Sequence, residues 1–160
     1  VSRTMQSVGR RYAQLFNQNH QRTRTIWEGR FKSCLLESES FFLLTQKFIE
    51  SNPVRSGLVQ KAEDWPWSSY RHHIGSETIS WVSDHSLYWA LGNTPFERQS
   101  AWQRFVIDSF NKEQIETVSS HLLKGWPLGN PSFLKQIAGK VARPVAKRRP
   151  GRPIKETVAI

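Results

Sequence analysis

Cysteine is all but missing from this chain of 160 residues. Cys34 stands alone, which excludes a disulfide within the chain and a cysteine-based metal cluster. No apolar run is long enough to span a bilayer, and no charged–apolar–small succession marks a signal peptide. A soluble cytoplasmic protein without membrane contact is therefore expected. The histidines are His20, His72, His73, His85 and His121, and no two are separated by a single apolar residue. His72 and His73 are adjacent and would point in different directions on any regular element. Structural or solvated roles are expected for all five. Acidic residues are also short, 13 against 23 Lys and Arg, which leaves a net charge of +10.

That excess sits at the two ends. Residues 1–36 hold seven basic residues and one Glu, residues 37–140 hold ten basic and eleven acidic, and residues 141–160 hold six basic and one Glu. A neutral body with two basic ends suits two separate polyanion contacts, and nucleic acid is the expected partner. The apolar share is only 38%, but seven Trp and nine Phe supply large buried areas per residue. The length suits one domain with an appendage.

Met5, Val8, Tyr12, Leu15 and Phe16 recur at helical spacing and predict a helix over residues 5–19, with Tyr12 on its inward stripe. Residues 27–35 alternate apolar or small with polar side chains, the period of a half-buried strand that would aim Arg30 and Lys32 at one face. Ser38 or Ser40 is the expected cap of a helix over residues 39–51, with Phe41, Leu44, Phe48 and Asn52 on one face and Pro53 ending it. Beyond Gly75 a short helix is expected near residues 84–91. Thr94-Pro95-Phe96-Glu97 forms a capping box for the next helix, carrying Trp102, Phe105, Val106 and Phe110. Another helix is predicted over residues 112–123, broken by Gly125-Trp-Pro-Leu-Gly129, and Asn130-Pro131 opens a last short one.

Three phrases carry a family likeness: Trp27-Glu-Gly-Arg-Phe-Lys-Ser33, Asn52-Pro-Val-Arg-Ser-Gly-Leu-Val59 and Trp65-Pro-Trp-Ser-Ser-Tyr70. Their order and spacing resemble the REP-associated tyrosine transposases, single-tyrosine members of the HUH superfamily that act on single-stranded DNA hairpins. The resemblance implies an α+β fold. Residues 1–75 would be the later, helix–strand–helix part of a ferredoxin-like catalytic domain, residues 76–140 a helical extension and residues 141–160 a basic tail. A strand without neighbours leaves unpaired backbone edges, so pairing as a homodimer is one expected outcome. The resemblance also implies a tyrosine nucleophile four residues before the Asn of the Asn-Pro pair, and that position holds Phe48. Phenylalanine has no oxygen with which to attack phosphorus. The family's metal, Mg²⁺ or Mn²⁺, is held by a His-hydrophobic-His pair, which normally lies upstream of the resembled region, with Asn52 at the position of a third ligand. No such pair occurs here, so no cofactor is expected for the chain as given. Tyr12, Tyr70 and Tyr88 read as packing residues, not substitute nucleophiles.

The expected DNA contacts are Arg10, Arg11, Arg22, Arg24, Arg30, Lys32 and Arg55, followed by Lys147, Arg148, Arg149, Arg152 and Lys155 in the tail. The tail resembles an AT-hook, whose Gly-Arg-Pro core lies in the narrow minor groove of A·T-rich duplex; Pro150 stands where the usual hook has Arg. The leading expectation is a DNA-binding, catalytically inactive remnant of a mobile-element transposase. The alternatives are an active single-strand DNA transposase, if a longer product or a partner supplies the histidines, and a non-enzymatic nucleic-acid-binding regulator.

Overall fold

The computed structural model describes residues 1–141 and 144–146, and the chain divides into two compact units, Val1–Ser33 and Cys34–Ile160. In the first unit α1 spans Ser2–Asn19. It has no buried residue, and Met5, Val8, Tyr12 and Leu15 are 43%, 56%, 51% and 61% exposed, so the stripe that predicts the helix does not bury it. Tyr12 is thus not a core residue. The chain reverses after α1 through Gln21 at φ 50°, with the Arg22 amide donating to Asn17 O at 2.8 Å. Asn17 Nδ2 then donates to Arg24 O at 2.9 Å. Trp27 folds back over the helix, its indole Nε1 donating to Gly9 O at 3.0 Å and its ring lying 5.6 Å from Tyr12.

The α+β expectation fails. The described residues are helical and form no sheet; pairing of extended backbone is limited to one isolated parallel bridge, Leu36 with Leu128. Residues 27–35 are bends and irregular chain, so Arg30 and Lys32 do not share a strand face. Alternation describes side chains, whereas a strand also needs a neighbour for its N–H and C=O groups. Here the Leu128 amide donates to Leu35 O at 2.8 Å and the Glu37 amide donates to Leu128 O at 2.7 Å, and the ladder ends there.

The second unit is built around α2, Ser38–Glu50, which packs on α5 (Ser86–Trp89), α6 (Pro95–Ile107) and α7 (Lys112–Lys124). Neither Ser38 nor Ser40 caps α2. Glu37 occupies the N-cap without a side-chain cap bond, and its carboxylate instead accepts from the Asn130 amide (3.0 Å) and Asn130 Nδ2 (2.6 Å). α2 ends at Glu50, ahead of Pro53 as expected, and a short helix follows at once. Pro53 falls in the first turn of that helix, α3, Asn52–Arg55, where its missing N–H costs nothing.

After a 3-10 turn at Ala62–Asp64 comes α4, Tyr70–His73. Ala62, Tyr70, Tyr88, Trp102 and Val106 form the core cluster, so residues on both sides of Gly75 share it. The local signals of the later helices hold. Thr94 and Glu97 exchange both bonds of a capping box, and α7 starts from Asn111 and ends at left-handed Gly125 (φ 67°). The last helix, α8 (Pro131–Ala138), is capped by Asn130, which accepts from the Phe133 amide at 2.9 Å. No helix among the described residues is long and apolar enough to cross a membrane.

Candidate nucleic-acid interface

Positions 48, 52 and 55 come together where α2 gives way to α3. The half-buried Phe48 ring lies under the Arg55 guanidinium, Cζ 3.9 Å from the ring centroid, with Phe110 edge-on at 6.2 Å. Arg55 Nη2 donates to Phe48 O at 2.8 Å and to Asn52 Oδ1 at 3.2 Å. The amide oxygen that would face a metal therefore faces a fixed positive charge. A divalent ion and a guanidinium cannot share that oxygen without strong repulsion. The residues present do not fit a metal at Asn52, and no group of three or more His, Cys, Asp or Glu among the described residues is arranged to hold one.

Beside this corner Lys47 is buried, its Nζ 4.7 Å from the Phe105 centroid and 4.6 Å from the Phe110 centroid. Burial pushes its ammonium down, opposed by the charge of Asp108. Aromatic faces supply part of the stabilisation that water no longer gives.

The most buried face of α2 is polar. Glu50 is fully buried, and three donors meet its Oε1: His73 Nδ1 (2.6 Å), Ser69 Oγ (2.6 Å) and Gln46 Nε2 (2.9 Å). Trp102 Nε1 donates to Oε2 at 2.8 Å. Burial pushes the Glu50 carboxyl up, but the bond and charge of His73, with the Ser69 and Gln46 bonds, outweigh it and hold the group below its ordinary range. His73 Nε2 lies 3.4 Å from Asp84 Oδ1 and His72 Nε2 lies 3.5 Å from the same oxygen. His72 Nδ1 accepts from the Ile79 amide at 3.1 Å, so a neutral His72 carries its proton on Nε2 and has no lone pair there for a metal.

The tyrosines of this unit are poor stand-ins for Phe48. Tyr70 and Tyr88 are 3% and 6% exposed, and burial raises both phenols above their usual range. Tyr88 also donates its hydroxyl to His73 O at 2.7 Å.

Of the expected DNA contacts, Arg10, Arg11, Arg22, Arg24, Arg30 and Lys32 are all exposed in the first unit. None takes part in an ion pair among the described residues. Arg22 lies over Phe16 at 5.7 Å. Arg55 is exposed in the second unit, held by the two bonds above. Lys147, Arg148, Arg149, Arg152 and Lys155 lie outside the described residues. Sequence reasoning missed the Lys47 cage and the Glu50 network. The one signal available was the spacing of Gln46 and Glu50, four apart on a helix, which puts them on one face.

Part of the chain is similar to a known protein. A Haemophilus influenzae protein, named provisionally as a REP-associated tyrosine transposase, is 34% identical over 64 residues, which is 39% of this chain. The match covers 36% of the relative, so the chain spans little more than a third of that protein's length. No family model matches the chain. No solved structure matches it. Over that stretch the chain is similar to a REP-associated tyrosine transposase, the family its three phrases resemble.

Proposed function

We propose that this chain binds DNA as a transposase-family protein without the strand-cleaving step. The observation that carries the reading is the corner at Phe48: a ring without a hydroxyl at the nucleophile position, and Arg55 bonded to the amide oxygen at the metal position. Cleavage with a covalent intermediate needs an oxygen nucleophile and stabilisation of the developing phosphate charge. This corner offers only the cation. Arg55 is then a phosphate contact, positioned by Phe48 O and Asn52.

Affinity comes from the exposed basic residues of the first unit and from the tail. The family implies a single-stranded hairpin as one ligand, and the Gly151-Arg152-Pro153 core adds A·T-rich duplex as a second. The test pairs a hairpin-binding titration with a covalent-adduct gel in Mg²⁺ or Mn²⁺. Binding without an adduct is expected, and a phosphotyrosyl adduct mapped to Tyr12, Tyr70 or Tyr88 overturns the reading.

A further inference from the structure

The second unit carries a cleft of about 530 Å³ to which the Phe48 corner contributes nothing. This is within the range of small-molecule sites, roughly 300–1,000 Å³. It opens between α2, residues 66–69 and residues 79–85. Two of its walls are indoles, Trp67 and Trp81, each 82% exposed. Indole faces left this open are apolar surface that a soluble protein usually covers, and flat aromatic walls select flat ligands.

Gln46, Ser69 and His73 add polar groups to the lining. Those groups are oriented. Gln46 Nε2 donates to Glu50 Oε1 and Ser69 Oγ (3.1 Å), two acceptors that lie side by side, 2.6 Å apart. Glu50 as a carboxylate only accepts, so the opposite flip of Gln46 would set oxygen against oxygen. Gln46 Oε1 is left as the acceptor this side chain can offer. The cleft lining contains no Lys, Arg, Asp or Glu. Such a lining suits an uncharged flat ring with an N–H to donate better than a phosphate.

We propose that this cleft takes an unpaired nucleobase of a single-stranded nucleic acid, stacked on Trp67 and Trp81 and donating to Gln46 Oε1. The site rests on the DNA-binding reading above and adds to it a contact that depends on bases. Such stacking is worth a few- to more than a hundredfold in affinity per base.

The experiment compares a single-stranded oligonucleotide with an abasic strand of the same length and charge, at one fixed salt concentration, using the full chain. The base-bearing strand should bind roughly tenfold more tightly. Trp67→Ala and Trp81→Ala should each shrink that gap and leave affinity for the abasic strand unchanged. Both indoles are mostly exposed, so the variants should keep the wild-type far-UV spectrum. Equal affinity of the wild type for the two strands overturns the site while the phosphate-based DNA reading stands. A Trp loss that is equal on both strands overturns the site in the same way. If neither strand binds, the DNA reading itself fails and this site falls with it.

Discussion

Trp102 donates its indole N–H to Glu50 Oε2 at 2.8 Å, joining residues 52 apart in the chain. Both side chains are completely buried. The bond places a charged acceptor against the largest ring of the core, and His73, Ser69 and Gln46 hold the other oxygen. Trp102→Phe keeps an aromatic filler but removes the donor, so it should cost about 1–3 kcal/mol through the unpaired oxygen, on top of any packing loss. Glu50→Gln should cost more, about 3–5 kcal/mol, because its amide N–H₂ would meet donors. Urea denaturation of the two variants checks the order. A Glu50→Gln protein as stable as wild type would show that the network contributes nothing.

Acid should unfold the protein through the same group. The Glu50 carboxyl is depressed in the folded state, so the unfolded chain takes up the proton more readily. Its stabilising contribution is complete above the ordinary glutamate value, about 4.3, and is lost as pH falls through the lower folded value. The urea midpoint should therefore drop below about pH 4.5 more steeply in wild type than in Glu50→Gln. Parallel pH profiles for the two proteins would count against this assignment.

What was legible in the sequence was local. The capping box at Thr94, the stop at Gly125 and the start at Asn130 need only residues within a turn, and each holds. The strand expected over residues 27–35 does not form, because alternation is only half of a strand; the other half, a neighbouring backbone, lies in no local pattern. Glu50 was equally hidden, since two of its partners, His73 and Trp102, arrive from α4 and α6. The family phrases located Phe48 and Asn52, but not that Arg55 would bond to the oxygen of Asn52.

A hydroxyl added at position 48 should not produce cleavage. Phe48→Tyr would place a phenol against the Arg55 guanidinium, which can favour its ionised form. The Asn52 oxygen would still be held by that same guanidinium, so no metal would join Arg55 in stabilising the phosphate charge. A covalent-adduct gel with hairpin DNA and Mn²⁺ should stay blank for Phe48→Tyr. An adduct on residue 48 would mean that a single oxygen suffices.

The first unit should bind by charge, one residue at a time. Arg10, Arg11, Arg22, Arg24, Arg30 and Lys32 are exposed, and no strand lines up the last two. Each phosphate contact made on single-stranded DNA should add roughly 0.7 to the slope of log affinity against log salt. Arg30→Ala with Lys32→Ala should flatten that slope by about the two-contact amount, ~1.4. An unchanged slope would make these side chains solvated charge only.

The tail should read a groove where the first unit reads only charge. Arg152 follows Gly151 and precedes Pro153, a pattern that lets a chain lie close to the floor of a minor groove and insert a guanidinium. That groove is narrow and strongly negative over A-tracts, whereas the exocyclic amine of guanine obstructs its floor. Arg152→Ala should therefore weaken binding to A·T-rich duplex several-fold and binding to G·C-rich duplex very little. Deleting residues 144–160 should weaken duplex binding more than hairpin binding. A tail that acted through charge alone would lose affinity on every sequence in proportion to the charge removed. Titration of Arg152→Ala against both duplexes at one salt concentration separates the two, and equal losses would leave the groove-reading role without support.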